Sequence, residues 1–354
     1  MVAGSEPCRP VEEIAALQAP RKRLEPGPGS AYRAGMPSTL TQRELHPGDA
    51  AAVTKILAAM EQLEPVDEAY GEPDILEEMT APGVDLGRAS IGIVDDDRLV
   101  AFGWLRVSPP APEWKAFQWA GVHPDYLARG LGRRMIEELE SSAIAIRNAD
   151  APGSPGEMKV WLDPVRPRTA ALVAAAGYQN WRSFFRMRCD LHNPVHRRPA
   201  PTGVEIAPYR SIDDDAVRLV SNSSFGDHWG STSMDPARWR AEYADSSSFR
   251  PEQSFIATIN ASVAGFVLTS EFEADTRLRG FRTGYIARVG TLRSARGRGV
   301  ASVLLARTLS GLADTGYRYA ELGVDADSQT GAGRLYERAG FVTIGQNIVA
   351  GKRF

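Results

Sequence analysis

The hydrophobic pattern of the chain switches repeatedly between the period of a strand and the period of a helix. "SFIATINASVAGFVLTS" (254–270) predicts a β-hairpin that turns at Asn260, and "GYIARVGT" (284–291) predicts the next strand. "RGVASVLLARTLSGLADTG" (298–316) then places apolar residues at helical spacing and ends at a glycine suited to a helix C-terminus. Because strands and helices alternate, we expect a mixed α/β (α+β) layer fold.

The same order of predicted elements occurs twice along the chain. Matching landmarks lie between 162 and 167 residues apart: Val53 with Val217, Gly103 with Gly265, Arg129 with Arg296, and Gly177 with Gly340. Ordered landmarks at nearly one shift predict two copies of one domain, each reading β, α, two or three strands, then α, β, α, β. The alternative is a pair of unrelated α/β domains that share common turns.

A polar segment with three prolines, "HNPVHRRPAPT" (192–202), separates the two copies and is typical of a linker. We therefore place a first domain at residues 39–191 and a second at residues 203–354. Residues 1–38 combine charges with prolines and predict a partly disordered extension, with a short amphipathic helix near residues 11–17.

Composition limits the classes of function. The chain has 354 residues, 43% of them hydrophobic, and a formal net charge of -3, which argues against nucleic acid as a partner. The two cysteines, Cys8 and Cys189, form no disulfide framework and have no metal-ligand spacing around them. Without an apolar run near the ~20 residues of a membrane helix, and without a signal peptide, we expect a cytoplasmic protein with no membrane partner and no metal.

The junction "RGRGVA" (296–301) joins a predicted strand directly to a predicted helix. The first N–H groups of a helix lack backbone partners, and together with the helix dipole they favour an anion. Glycines allow close approach of a phosphate, and Arg293, Arg296 and Arg298 add positive charge. The junction predicts a pyrophosphate-binding turn, the alternative being an exposed turn in which glycine merely provides tightness.

R-x-x-G-x-A after a strand, followed about 40 residues later by "RLYERAGF" (334–341), resembles the GNAT superfamily of N-acetyltransferases. The resemblance covers both halves and is strongest in the second, and the tandem layout is similar to mycothiol synthase-like double-GNAT proteins of actinobacteria. It implies two tandem GNAT-like domains, each a mixed, mostly antiparallel sheet flanked by helices. It also implies an acyltransferase that uses acetyl-CoA.

The resemblance places the acetyl-CoA site in the second copy. The implied binding residues are Val289, Gly290, Thr291, Leu292, Arg296, Gly297, Arg298, Gly299, Val300 and Ala301, with Ser328 and Gln329 ahead of the late helix. In the first copy, Arg134 stands at the sixth motif position, and Val173 stands where the second copy has Tyr336. The first copy is therefore predicted to be a degenerate GNAT-like domain and the second the catalytic one.

The resemblance implies that Tyr336 lies near the thioester sulfur and assists the leaving thiolate; packing alone is its alternative role. A base must also take a proton from the attacking amine. Many relatives have a glutamate on the strand before the junction, but "GYIARVGT" contains no carboxylate. We expect Glu271 to be the base. The alternatives are Glu273, Glu321, and Asp227 or His228 in "SFGDHWG".

We therefore expect an N-acetyltransferase that moves an acetyl group to the primary amine of a small molecule, such as a metabolite, an amino sugar or an antibiotic-like amine. We expect the chain to act as a monomer or homodimer. The alternatives are a protein or peptide N-acetyltransferase, and a non-catalytic CoA-binding or regulatory tandem-GNAT protein.

Overall fold

A computed structural model describes residues 40–109, 113–193, 198–226, 229, 232–328 and 331–354. The predicted extension at residues 1–38 and its short helix lie outside the described residues. So do three of the predicted site residues, namely Asp227, His228 and Gln329.

Strands and helices alternate along the described chain. The strands are β1 (Leu40–Arg43), β2 (Ser90–Asp95), β3 (Arg98–Val107), β4 (Trp114–Val122), β5 (Gly156–Leu162), β6 (Gln179–Asp190), β7 (Glu205–Pro208), β8 (Phe255–Ile259), β9 (Ser262–Ser270), β10 (Thr283–Thr291), β11 (Tyr319–Asp325) and β12 (Val342–Arg353). The helices are α1 (Ala50–Leu63), α2 (Glu72–Thr80), α3 (Leu86–Ala89), α4 (Leu131–Asp150), α5 (Pro167–Ala175), α6 (Asp214–Phe225), α7 (Pro236–Trp239), α8 (Glu273–Arg279), α9 (Val300–Asp314) and α10 (Ala332–Arg338). We call β1–β6 with their helices the first half and β7–β12 with theirs the second half.

Local sequence signals account for the elements of the second half. The hairpin of β8 and β9 turns at Asn260 and Ala261, whose φ angles of 50° and 62° suit a tight turn. Helix α9 buries Val300 and Leu304 against the sheet, and Gly316 follows its end at φ 82°. The mixed α/β fold expected from the sequence is thus confirmed.

All the described strands form one sheet, in the order β1-β2-β3-β4-β5-β12-β6-β11-β10-β9-β8-β7. Within each half the first four strands are antiparallel neighbours, while β4 with β5 and β10 with β11 are parallel. Helices α4 and α9 pack on one face of their halves, and α1 and α6 pack on the other. Each half is therefore a mixed, mostly antiparallel sheet flanked by helices, as the resemblance implied.

The two halves exchange strands at the centre of the sheet. Strand β12 lies between β5 and β6, and β6 lies between β12 and β11. As a result Met187 and Cys189 of β6 belong to the core of the second half, and Ala350 of β12 belongs to the core of the first. The boundaries at 39–191 and 203–354 stay a prediction, but neither segment holds every strand of the sheet region that it helps to form.

The exchanged strand depends on a glycine. Gly351 of β12 pairs with Lys159 of β5, and the ring of Trp181 lies directly over it. A Cβ atom at Gly351 would lie 2.2 Å from that ring, so Gly351→Ala should force the indole out of its packed position. We expect a loss of about 1–3 kcal/mol in the free energy of unfolding, measured by urea denaturation.

The matched control is Gly333→Ala in α10, where a Cβ atom meets nothing within 4 Å. Alanine is the better helix former by up to ~1 kcal/mol, so this variant should be at least as stable as the parent. Equal stability of the two variants would contradict the seating of Trp181 on the exchanged strand.

Candidate active site

The junction between β10 and α9 has the geometry of an anion-binding turn. A single 3-10 turn, Arg293–Ala295, leads from β10 to Gly299, which occupies the N-cap of α9. Gly297 and Gly299 have φ angles of 74° and 80°, a region that glycine adopts without steric cost. No described side chain caps the first N–H groups of α9, and a Cβ atom at Gly297 would meet nothing within 4 Å. The backbone donors of this turn are accessible to a ligand, so the turn fits a pyrophosphate.

Arg296 joins this turn to its surroundings. Its Nε donates to the carbonyl of Thr291 at 3.3 Å, and its Nη2 donates to the carbonyl of Ser224 at 3.1 Å. Ser224 belongs to α6, so the arginine links the junction to the helix on the opposite face of the sheet. Of the predicted pyrophosphate ligands, Arg296 therefore has a visible structural role in holding the turn.

The first half contains a turn with the same backbone path. A 3-10 turn at Pro124–Tyr126 leads to Gly130, which occupies the N-cap of α4 at φ 78°. The residue after each 3-10 turn also matches, since Leu127 has φ -64° and ψ 160° and Arg296 has φ -65° and ψ 156°. The two turns therefore correspond residue by residue at a shift of 169.

This shift corrects the alignment that was made from the sequence. The residue of the first half that corresponds to Ala301 is Gly132, not Arg134. Arg134 lies further along α4, and its guanidinium donates to Gln42 at 2.5 Å. It therefore does not occupy the sixth position of the turn, and crowding by Arg134 gives no reason to call the first copy degenerate.

A gap opens between β10 and β11 of the second half. The two strands pair only from Thr283–Tyr285 to Tyr319–Glu321, and a bulge between Ile286 and Arg288 interrupts the pairing of β10 with β9. A bulge bends and twists its strand, so the edge of β10 beyond Tyr285 turns backbone groups towards the gap. This edge contains Val289–Thr291, the predicted binding segment. The corresponding strand β4 pairs with β3 in unbroken register.

Tyr336 of α10 lies at the β11 side of this gap. It is 9% exposed, and its ring packs edge-on against Phe341 at 5.9 Å between centroids. Burial, with a smaller effect of Tyr285, raises the pKa of Tyr336 to about 12. No described residue forms a hydrogen bond with its hydroxyl, so the O–H is available to a ligand.

Ser328 lies in the loop between β11 and α10. Its backbone N–H donates to the carbonyl of Asp325 at 3.1 Å, which closes a turn ahead of the late helix. Ser328 is half-buried there, on the same side of the gap as α10.

Glu271 has a different environment from the one predicted. Its carboxylate accepts hydrogen bonds from both Nε and Nη2 of Arg282 at 2.8 Å, from Tyr317 Oη at 2.7 Å and from Arg250 Nε at 3.2 Å. Burial alone would raise the pKa of Glu271, but the bonds from Arg282 and Tyr317 outweigh it and lower the pKa to about 2. Such a carboxylate is a poor base at neutral pH. Glu271 directly follows β9, beside the start of β10, whereas the junction lies at the other end of β10. The arrangement gives Glu271 a structural role and argues against the catalytic one.

Two other carboxylates that were predicted as candidate bases lie among the described residues. Glu273 begins α8 with a side chain that is 75% exposed. Glu321 lies beside Tyr285 at the mouth of the gap, but it accepts hydrogen bonds from Arg188 at 2.7 Å and Arg279 at 3.0 Å. Neither carboxylate faces the gap without a competing cation.

Two features near the gap escaped the sequence analysis. Tyr285 lies on β10 with its hydroxyl above Gly323, where a Cβ atom would lie 3.5 Å from it. The segment 64–71 between α1 and α2 of the first half lies against the second half, where Asp275 accepts from the N–H of Ala69. This contact joins residues 206 positions apart, and no local pattern signals it.

Within the described ranges, no group of three or more His, Cys, Asp or Glu side chains is placed to hold a metal ion. The helices described above include none with the length and apolar character needed to cross a bilayer.

The sequence of this chain is similar to those of known acetyltransferases. Residues 216–341 match the model of the acetyltransferase (GNAT) family. A mycothiol acetyltransferase of Salinispora arenicola is 30% identical over 234 residues, which cover 62% of this chain and 67% of the relative. A mycothiol acetyltransferase of Thermobifida fusca is 28% identical over 337 residues, covering 90% of this chain and 98% of the relative.

Solved structures share the fold of the whole described chain. A GCN5-related N-acetyltransferase from Sphaerobacter thermophilus has a TM-score of 0.69 at 23% identity and covers 90% of this chain and 97% of its own. A tandem GNAT protein from the clavulanic acid biosynthesis pathway has a TM-score of 0.66 at 16% identity, covering 89% and 98%. At these identities the likeness concerns the tandem fold alone.

The buried carboxylate of Glu271 predicts a pH-dependent contribution to stability. Its folded pKa of about 2 lies below the ordinary value near 4.3, so the stabilisation is present above pH ~4.5 and is lost as the pH falls towards 2. Glu271→Gln should cost about 3 kcal/mol at pH 7 and roughly half of that at pH 3, measured by urea denaturation. The exposed Glu273→Gln is the control, and an equal cost for Glu271→Gln at both pH values would contradict stabilisation of the fold by the ionised carboxylate.

The junction predicts where acetyl-CoA binds. Ala301→Glu places a carboxylate in the first turn of α9, where it favours the helix but repels a pyrophosphate. We expect unchanged stability and a Kd for acetyl-CoA at least ~10-fold higher by calorimetry, about 1.4 kcal/mol. Ala301→Gln controls for size, and Arg133→Glu tests the corresponding turn of the first half. Loss of binding in Arg133→Glu alone would place the ligand in the first half instead.

Proposed function

The chain belongs to the GNAT family of acetyltransferases, which take the acetyl group from acetyl-CoA. We propose that it transfers this group to the primary amine of a small molecule, and that the reaction takes place in its second half. The observation that carries this proposal is the bulged edge of β10, which leads straight into the uncapped N-terminus of α9. Tyr336 lies on α10, the helix that follows β11, and its pKa responds to Tyr285 of β10. We propose that the thioester lies along this edge of β10, with the pyrophosphate at the N-terminus of α9 and the sulfur near the Tyr336 hydroxyl.

The predicted ligands divide into two groups along this groove. The backbone of Val289–Leu292 supplies N–H and C=O groups along the gap, where one N–H would stabilise the oxyanion that forms during acyl transfer. The glycines and first helical N–H groups of residues 297–301 would hold the pyrophosphate, with Arg298 adding charge. Ser328 and Gln329 would contribute hydrogen bonds ahead of α10.

The reaction forms one bond and breaks another. The neutral amine nitrogen bonds to the carbonyl carbon of the thioester, the carbon–sulfur bond breaks, and the sulfur leaves as a thiolate. The pKa of Tyr336 is about 12 and that of a free thiol is about 8.5, so full proton transfer from the tyrosine is uphill by roughly 5 kcal/mol. We therefore assign Tyr336 the role of a hydrogen-bond donor that stabilises the thiolate until solvent protonates it.

The acceptor is proposed to be a small cationic amine. Glu68 and Asp275 lie near the mouth of the gap, and neither carboxylate accepts a hydrogen bond from an arginine. Such carboxylates attract an ammonium group. The names of the two relatives make a mycothiol-type acceptor the first class of compound to test.

Removal of the Tyr336 hydroxyl tests the assignment. Tyr336→Phe should lower kcat by about 10- to 100-fold, since it removes a donor to the leaving group, while the Kd for acetyl-CoA stays unchanged. The measurement is thiol release in the presence of a panel of small primary amines, with mass spectrometry of the product. Tyr209→Phe is the control, because its buried hydroxyl also lacks a partner among the described residues but lies in a separate core cluster.

The pH profile adds a second readout. Since burial holds the pKa of Tyr336 at about 12, its ionisation should cause no loss of wild-type activity below pH ~10.

Thiol release with peptide amines alone would favour a peptide N-acetyltransferase. Binding of acetyl-CoA without thiol release from any amine would favour a CoA-binding protein without activity.

A further inference from the structure

The segment between α1 and α2 of the first half is held in a defined conformation. The carboxylate of Glu61 accepts hydrogen bonds from the N–H groups of Val66 and Asp67 at 2.8–3.1 Å. Asp67 adopts a left-handed φ of 60°, which a non-glycine residue holds only when its surroundings enforce it. The chain therefore turns sharply one residue before Glu68.

Side chains of the second half hold the same segment from the other side. Arg279 of α8 donates to the carbonyl of Asp67, at 3.0 Å from its Nε, and Asp275 of α8 accepts from the N–H of Ala69 at 2.5 Å. The exchanged strand β6 adds Arg186, which donates to the carbonyl of Val66 at 3.1 Å. Backbone groups on both sides of Glu68 are thus bound to the second half, which directs its side chain towards that half.

The carboxylate of Glu68 is held loosely compared with its backbone. Its closest cation is Arg186, at 3.6 Å, and Tyr70 Oη donates to it at 3.4 Å. Its side chain is 39% exposed, yet burial raises its pKa despite Arg186. Glu321, by comparison, is bound by two arginines at 2.7 and 3.0 Å. Of these two acidic groups near the gap, Glu68 is the one whose carboxylate is not hydrogen-bonded by arginine.

Glu68 lies close to the place where β10 and β11 part. The pKa of Tyr285 is raised to about 12, mainly by burial of its hydroxyl and further by the charge of Glu68. Tyr285 forms the last pair of β10 with β11, and its hydroxyl lies above Gly323 just beyond that pair. Strand β10 itself has no carboxylate. The first half thus adds an acidic group beside a strand that has none of its own.

We propose that Glu68 of the first half binds the acceptor ammonium group at the gap of the second half and takes its proton, with Tyr285 positioning the nitrogen. This inference rests on the proposed acetyl transfer. The ammonium group loses two protons when it becomes an amide. One passes to the Glu68 carboxylate and then to solvent, and the other leaves the nitrogen after it bonds to the acetyl carbon, balancing the proton that the thiolate takes up.

Several charged groups face Glu68 and bear on its titration. They are Arg166 and Asp163 of the first half, Arg186 of β6, Tyr70 of the same segment, Tyr285 of β10, Asp275 of α8 and Arg279 beside it. Burial raises the pKa of Asp275 to about 6, so Asp275 is the other group able to titrate near neutral pH. The test must separate these two carboxylates.

The test compares kcat/KM for a small amine across pH 5–9 in full-length variants. Glu68→Gln should lower kcat/KM by about 100-fold or more and remove the acid limb of the profile, with the Kd for acetyl-CoA unchanged. Glu68→Asp should retain part of the activity and the limb. Glu72→Gln is the matched control, because Glu72 is an exposed glutamate at the start of α2.

Asp275→Asn separates the second carboxylate, since its amide oxygen still accepts from Ala69 while its charge is removed. The acid limb should persist in this variant. Addition of formate should partly restore Glu68→Ala, a result that a purely structural role would not produce. A wild-type profile in Glu68→Gln, or loss of acetyl-CoA binding with it, would overturn the inference. Absence of acetyl transfer in the wild type would instead refute the proposed function.

Discussion

The rest of the structure depends on the exchange of β6 and β12 between the two halves. Because β12 pairs with β5 on one side and β6 on the other, the two sheets become one and cannot slide past each other. The exchange also gives each core residues from the opposite end of the chain, such as Met187 in one and Ala350 in the other. Because this geometry is fixed, backbone groups of segment 64–71 can form hydrogen bonds with the side chains of Asp275 and Arg279.

The two copies share a backbone and differ in what they place beside the gap. The last parallel pair is Tyr285 with Glu321 in the second half and Phe117 with Lys159 in the first. Lys159 is buried, pairs with Glu157 at 3.2 Å and lies 5.0 Å from the ring of Trp229 of the second half. Burial lowers its pKa, although Glu157 opposes the shift. The pairing of β10 with β9 is also interrupted by a bulge, whereas β4 pairs with β3 in unbroken register, and this difference supports the proposal that acyl transfer takes place in the second half.

Sequence patterns predicted what is local and missed what is distant. The hairpin at Asn260, the strand β10, the helix α9 and the late helix α10 follow from periodicity and glycine positions within each segment. Strand exchange was not predictable, because a sequence pattern marks a segment as a strand without naming its neighbour in the sheet. The Arg134 assignment failed for a related reason: repeated Arg and Gly letters were aligned, whereas the helix N-cap at Gly130 sets the true correspondence.

Glu271 shows the same limit in chemical terms. Its place at the end of an apolar strand indicated a carboxylate near a cleft, but its three partners, Arg250, Arg282 and Tyr317, come from separate segments. Three donors convert a candidate base into an anion that stays ionised at any physiological pH.

A carboxylate that serves as a base needs the opposite surroundings, with desolvation and no arginine bonded directly to it, and Glu68 has these surroundings where the two halves meet. If the second copy alone performed acetyl transfer, the first copy would need only to lend β6 to the sheet. The structure contains more than that. The backbone on both sides of Glu68 is bound by Arg186, Arg279 and Asp275, and the left-handed Asp67 is held between these anchors. In the other direction, Trp229 of the second half covers Lys159 of the first. Each half thus places side chains beside the parallel strand pair of the other, and the proposed site requires both copies.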